Sequence, residues 1–314
     1  MSGIERNNLQ VFHSFAGNTL DRSEVERRSP DWISSLINHP STKFLLVKDF
    51  MFPVLKNTKR LVWVSQKELQ NISKPLSEDS FFLLGTADNI GYFAIDVTKL
   101  AIETDSNWEF LEPREIALSA SEHEVGIIAQ AKSQLYWHES HKYCSNCGSM
   151  SKPHKGGIVR ICEQCSTQHF PRTDPVVIML VFKDQHCLLG QNRRRTNGFY
   201  SALAGFMDHA ESIEEAVRRE VKEESGVKVK KVIYHSSQPW PYPHSLMIGC
   251  IAEAEDSIIS IDEEELSDAR WFSRKEIINA FKAQEQNKEN EFYLPGSVAI
   301  AHHLIKYWAF ETSF

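Results

Sequence analysis

Residues Gly205–Val227 read GFMDHAESIEEAVRREVKEESGV, and the rest of the chain is best read outward from them. Ser212 followed three residues later by Glu215 is a capping-box signature, so a helix is predicted to begin there. Ile213, Ala216, Val217 and Val221 recur at helical spacing and give it an apolar stripe. Gly226 stands where a left-handed cap would end it. On that helix Glu220, Glu223 and Glu224 are related by i, i+3 and i+4, so their carboxylates share a face. Like charges so arranged repel one another unless a cation stands between them. Hard divalent cations such as Mg²⁺ take oxygen ligands and bind substrate phosphates as well. Arg219 can reach Glu223 along the helix or fold back to Glu211 in the preceding loop. A solvated acidic face is the ordinary fate of a charge run. The spacing here, a glycine, five residues, Glu211, seven residues, then Arg219-Glu220, is more constrained than that fate requires.

The chain has 314 residues, 41% hydrophobic and 25% charged, which suits a globular protein of two domains or one large one with additions. Its net charge of -7 leaves no broad basic footprint for nonspecific nucleic-acid binding. A polyphosphate substrate would therefore depend on local cations: a metal, Arg, Lys or backbone N–H groups. No apolar run is long enough to span a membrane, the first residues MSGIERNNLQVF lack the core of a signal peptide, and a cytoplasmic protein is expected.

Residues 1–138 carry no motif that implies chemistry. Lys43–Lys48, Arg60–Val64, Phe81–Gly85 and Gly91–Val97 read as strands, and Glu122–Trp137 as a helix, giving a mostly β N-terminal domain of α+β type. Residues 139–171 hold two CxxC pairs, Cys144/Cys147 and Cys162/Cys165, fourteen residues apart. Two such knuckles complete a tetrahedral Zn–S₄ site with no open position, so one structural Zn²⁺ is expected. Cys187 and Cys250 stand alone in apolar runs as buried thiols.

Residues 172–314 begin with Pro175–Phe182, a continuous apolar strand buried on both faces, and Cys187–Gln191, a second strand. Arg193–Arg195 follow as an exposed loop or as phosphate clamps, with Arg194 or Arg195 the candidates. Ala204, before the loop glycine, can turn its carbonyl to a metal. Ser237–Ser245, SQPWPYPHS, is stiffened by three prolines between two strand-like runs and reads as an inserted loop. Its Trp240 and Tyr242 would form a rigid aromatic wall suited to a nicotinamide or adenine ring. Asp262–Leu266 precedes the strand Ala269–Phe272 and offers a carboxylate distant from the acidic helix, Gln284–Glu291 reads as a polar loop, and Leu294–Ala299 opens a final helix to about Phe310.

The zinc ribbon, the box at Gly205–Val227 and SQPWPYPHS, in that order, closely resemble the NADH pyrophosphatase subfamily of Nudix hydrolases. The resemblance is strong over about residues 125–310 and weak before them; Tyr242 replaces the family's usual Phe. It implies an α+β chain whose last domain is an α/β/α sandwich with a mixed sheet. It implies hydrolysis of the diphosphate of NADH or NAD⁺ to NMN(H) and AMP, or removal of NAD caps from RNA. Two to three Mg²⁺ or Mn²⁺ ions would be held by Glu220, Glu223, Glu224, Glu265 and the Ala204 carbonyl, with Arg219 and Glu211 completing the catalytic set. Gln238, Pro239, Trp240, Pro241, Tyr242, Pro243, His244 and Ser245 would line the substrate site, with Phe170, Phe206 and Ala299. At Phe170 the family often has Tyr, so a hydroxyl is lost. A homodimer is implied. His141, Lys142, Lys152, Lys155 and Arg160 form a basic patch that could hold RNA. ADP-ribose or dinucleoside polyphosphates are the alternative substrates. A zinc-ribbon nucleic-acid binder with an inactive Nudix domain is the alternative of another class, and the intact carboxylates argue against it.

Overall fold

The computed structural model describes residues 13–72, 76–100, 102, 106–194 and 198–312, which pack as two compact units. One comprises residues 14–173 together with 240–244. It runs through α1 (Pro30–Ile37), β1 (Lys43–Val47), β2 (Phe52–Leu55), α2 (Gln66–Ile72), β3 (Phe82–Ala87), β4 (Ile90–Asp96), β5 (Trp108–Leu111), α3 (Pro113–Ile116) and α4 (Glu122–Ser140). Three ribbon strands follow, β6 (Ser151–His154), β7 (Val159–Cys162) and β8 (Gln168–His169). Strand β1 lies parallel to β4, which pairs antiparallel with β3. Side chains alternate across a strand, so β1 is buried on both faces. Phe44 and Leu46 pack with Leu36 and Ile37 of α1, while Leu45 and Val47 pack with Ile127, Ile128, Ala131 and Leu135 of α4.

This unit carries more helix than its strand-like runs suggest, and α1, α2 and α3 have no counterpart in the sequence reading. The run Arg60–Val64 is no ladder strand; it makes only single bridges, Leu61 to Val54 and Val64 to Phe44. Helix α4 continues three residues past Trp137, ending at Ser140.

In the ribbon, the four sulfurs of Cys144, Cys147, Cys162 and Cys165 lie within 4.8 Å of one another. The Cys144–Cys165 and Cys147–Cys162 separations are 3.6 and 3.5 Å. Tetrahedral Zn–S bonds of about 2.3 Å imply S–S edges of about 3.8 Å, close to these two separations. Thr167 approaches the Cys165 sulfur to 3.1 Å and holds its thiol down to about 5, favouring the thiolate that binds metal. Helix α4 braces the ribbon through His138, whose Nε2 meets the Gly157 carbonyl at 2.7 Å while its Nδ1 meets Arg160 Nη1 at 2.9 Å. Burial lowers His138 to about 4, so the ring stays neutral, with Nε2 the donor and Nδ1 the acceptor.

The second unit comprises residues 174–239 and 245–312, with His13. Its elements are β9 (Asp174–Lys183), β10 (His186–Asn192), β11 (Leu203–Phe206), α5 (Ile213–Ser225), β12 (Val229–Trp240), β13 (Ser245–Ala254), β14 (Leu266–Ser273), α6 (Arg274–Glu285) and α7 (Ile300–Phe310). The sheet is mixed, in the order β12-β13-β9-β10-β14, with β11 paired to β9. Strand β13 is parallel to β9, and β10 and β11 are antiparallel to it. Along β9, Val177, Met179 and Val181 pack with Ala216, Val217 and Val221 of α5. Ile178, Leu180 and Phe182 pack instead with Ile277 and Phe281 of α6 and Leu304 and Trp308 of α7. A sheet between two helical layers results, and each large side chain so buried contributes about 1.5–3 kcal/mol. Cys187 and Cys250 are wholly buried, and burial raises the thiol of Cys250 to about 12.

Three boundaries differ from the sequence reading. SQPWPYPHS is no inserted loop: β12 runs through Trp240, residues 241–244 turn, and β13 begins at Ser245. A proline is tolerated there because β12 is a sheet edge. The last helix starts at Ile300, not near Leu294, and α6 reaches Glu285, inside the expected polar loop. Among the described residues no helix is long and apolar enough to cross a membrane.

Cys162→Ser should remove bound zinc, measured by elemental analysis, and lower the Tm by several degrees. Unchanged zinc content and Tm would refute a zinc site at the four cysteines.

Candidate active site

Helix α5 begins with the capping box in full: Ser212 Oγ accepts from the Glu215 N–H, and the Glu215 carboxylate accepts from the Ser212 N–H at 2.8 Å. Such a cap is worth about 0.5–2 kcal/mol and fixes where the helix starts. Gly226 ends it in the left-handed region at φ 74°. The apolar stripe presses α5 onto the sheet and turns the glutamates toward β11. There Gly205 has no room for a side chain, since an added Cβ would lie 2.0 Å from the carboxyl carbon of Glu220. The loop glycine exists so that this carboxylate can lie against the backbone.

The end of α5 also brings in the distant carboxylate. Helix termini leave carbonyls unpaired. Here the Asp262 N–H donates to Glu224 O at 3.1 Å and the Ser260 N–H to Ser225 O at 2.8 Å. The segment so docked carries Glu265 into the field of Glu220 and Glu224. Arg193 reinforces it: its N–H donates to Glu265 O at 3.1 Å and its Nη1 to Glu263 O at 3.3 Å.

Arg219 is the cation at the centre. Its Nε and Nη2 donate to the two carboxylate oxygens of Glu211 at 2.8 Å each. Nη1 donates to Glu220 at 2.8 Å and Glu223 at 2.9 Å, and Nη2 also to the Phe206 carbonyl at 2.9 Å. One guanidinium thus ties the loop to the helix, in the paired-donor geometry at which Arg excels. It holds the Glu211 carboxyl down to about 2.

Glu224 receives none of this relief. Only 5% exposed, it is raised to about 8, first by burial and then by the charges of Glu220 and Glu265, against a lowering hydrogen bond from the Ala204 backbone. Glu220, 8% exposed, is raised first by burial and then by the charges of Glu223 and Glu265, in spite of its bond to Arg219. Glu220 and Glu224 are buried on one face of α5, and an all-oxygen donor set is what Mg²⁺ and Mn²⁺ prefer, although among the described residues only the four cysteines already lie close enough together to form a metal cluster. Glu223 and Glu265 are exposed, the Glu223 side chain by 57%.

The expected substrate residues fall into two groups. Phe206 and Phe170 are 61% and 68% exposed, open to stacking in their respective units. The SQPW segment is not a uniform wall. Gln238 is fully buried; its Nε2 donates to the Val298 carbonyl at 2.7 Å and its Oε1 accepts from the Ile300 N–H at 2.8 Å, which sets Ala299 at the head of α7. Pro241 and His244 are buried too, leaving Pro239, Trp240, Tyr242, Pro243 and Ser245 partly exposed. Of the basic patch, Arg160 is buried on Ser151 and His138, and Lys152 pairs with Glu163 at 2.8 Å. Arg194 has an exposed side chain, whereas Arg195 lies outside the described residues. The sequence reading missed Arg193. Its signal, the first of three consecutive arginines, does not separate it from its neighbours.

Residues 172–293 match the family model described as the NUDIX domain, which places the sheet, α5 and its carboxylates in the Nudix class. Residues 139–170 match the NADH pyrophosphatase zinc ribbon domain, and residues 36–137 the NADH pyrophosphatase-like rudimentary NUDIX domain. The chain is 37% identical to the NAD-capped RNA hydrolase NUDT12 of Macaca fascicularis, over 94% of this chain and 72% of that one. It is 31% identical to the NAD-capped RNA hydrolase of Schizosaccharomyces pombe, over 95% and 93%. With the human mitochondrial NAD(P)H pyrophosphatase NUDT13 it shares 36%, over 74% and 71%. The chain belongs to the NADH pyrophosphatase subfamily of Nudix hydrolases.

The Glu224 environment has a consequence for stability. A carboxyl raised in the folded state stabilises it fully below the unfolded value of 4.5, and that contribution is lost as pH rises to about 8. Metal-free Glu224→Gln should therefore melt several degrees higher than the parent at pH 9 and at the same temperature at pH 4. Equal melting temperatures at both pH values would contradict the burial of that charge.

Proposed function

We propose that this chain hydrolyses the diphosphate bond of NADH and NAD⁺, giving NMN(H) and AMP, and removes NAD caps from RNA 5′ ends by cutting the same bond. The observation that carries the chemistry is the burial of Glu220 and Glu224 on one face of α5, with Arg219 tying Glu220 and Glu223 to the preceding loop. The names of the relatives support the substrate class. In this reading the catalytic domain spans residues 172–314, the ribbon 139–171 and the N-terminal domain 1–138.

Glu220, Glu223, Glu224, Glu265 and the Ala204 carbonyl would hold two to three Mg²⁺ or Mn²⁺ ions, which neutralise a diphosphate and lower the pKa of bound water. The chain's own residues prepare the ground for this. Arg219 keeps Glu211, Glu220, Glu223 and the Phe206 carbonyl in one frame. Gly205 keeps the backbone clear for the Glu220 carboxylate. Ring stacking by the exposed Phe206 would orient a base-bearing end, worth about 1–3 kcal/mol per base. Phe170 would serve the site in a homodimer, and a cytoplasmic location fits a substrate found there.

The test is a panel of NADH, NAD⁺, ADP-ribose, FAD and NAD-capped RNA with Mg²⁺ or Mn²⁺, run on the parent and on Glu224→Gln. NADH and NAD⁺ should yield NMN(H) and AMP, capped RNA should yield a 5′-monophosphate, and the variant should lose at least about a thousandfold in kcat. Full turnover by Glu224→Gln, or cleavage of ADP-ribose alone, would contradict the proposal.

A further inference from the structure

Residues 240–244 pack within the N-terminal unit, and the way they are held there is unusual. Two cations stand over the Tyr242 ring, with Arg114 Cζ 4.1 Å and Lys132 Nζ 3.7 Å from its centroid. The same guanidinium lies 5.1 Å from the centre of the Trp240 ring, and the two rings are 5.4 Å apart. Phe15 meets both rings edge-on, at 5.7 and 6.2 Å. Ser133 Oγ donates to the Pro243 carbonyl at 3.1 Å, and Tyr136 meets the His244 ring edge-on at 5.9 Å.

Helix α4 supplies Lys132, Ser133 and Tyr136 from one face, and α3 supplies Arg114. Lys132 is only 8% exposed, and burial lowers its ammonium to about 8. A Met or Leu would fill that space without the cost of a desolvated charge. What the ammonium adds is directional attraction to the face of an aromatic ring, strongest where water is excluded. Tyr242 is thereby fixed, and Trp240, which shares Arg114 and Phe15 with it, is fixed in turn.

We propose that Arg114 and Lys132 form a cationic clamp on Tyr242 that sets the orientation of the Trp240 ring and thereby the KM for the dinucleotide. Both are positioning residues, and the kinetic part rests on the reading that Trp240 contacts substrate. The rudimentary NUDIX-like domain then gains a role, since its α3 and α4 hold residues 240–244 within their own unit.

The test uses the full-length protein with Arg114→Ala, Lys132→Met and Arg114→Lys, each alone and combined with Trp240→Ala. Arg114 is exposed and Met retains the Lys132 stem, so the fold should survive, as zinc content and Tm will show. Loss of either cation should raise the KM for NADH about five- to tenfold with kcat within about twofold. Arg114→Lys should restore most of the affinity, and neither loss should add to the effect of Trp240→Ala. Unchanged KM in both single variants, or full additivity with Trp240→Ala, overturns the proposal. Acrylamide quenching of the Trp240 fluorescence, taken as the difference from Trp240→Phe, reads the clamp without reference to substrate. Quenching should rise when either cation is lost, and unchanged quenching overturns the clamp. Raised quenching together with an unchanged KM in Trp240→Ala overturns only the substrate reading.

Discussion

The burial of the Glu220 and Glu224 carboxylates, with further acidic side chains near them, is the constraint around which the Nudix unit is built. Carboxylates gather in a protein interior only when something cationic offsets their charge. Arg219 supplies that offset for Glu211, Glu220 and Glu223, but Glu224 is left to burial and to its acidic neighbours. The fold supports this arrangement at two places. In β11, Gly205 admits the Glu220 carboxylate against the backbone; at the end of α5, the Glu224 and Ser225 carbonyls bind the segment that carries Glu265.

The acidic helix was legible because its signals are local. A capping box, an apolar stripe and a left-handed glycine each depend on residues within a few positions of one another, and so does the shared face of the three glutamates. The paired CxxC knuckles are local in the same way. The continuous apolar run of β9 was readable because burial on both faces leaves no alternation to interpret.

Misreadings cluster where the deciding partner is remote in sequence. SQPW looked like a loop because prolines usually break strands, yet β12 occupies the sheet edge, where a missing N–H costs little. Gln238 looked like a ligand contact, but its amide is bound sixty residues on, to Val298 and Ile300. Arg160 looked like part of a basic surface until His138, on another element, claimed it. Helix α6 is a different kind of omission, because Ser273 and Glu276 form a capping box visible in the sequence.

At neutral pH a divalent cation must displace the proton that burial keeps on Glu224. Calorimetric titration of Mn²⁺ into the metal-free protein at pH 7, in two buffers of different ionisation enthalpy, measures that proton directly. Release of close to one proton per site, lost in Glu224→Gln and vanishing above about pH 9, is the predicted result. Tight Mn²⁺ binding with no proton release, or binding unaffected by Glu224→Gln, would contradict it.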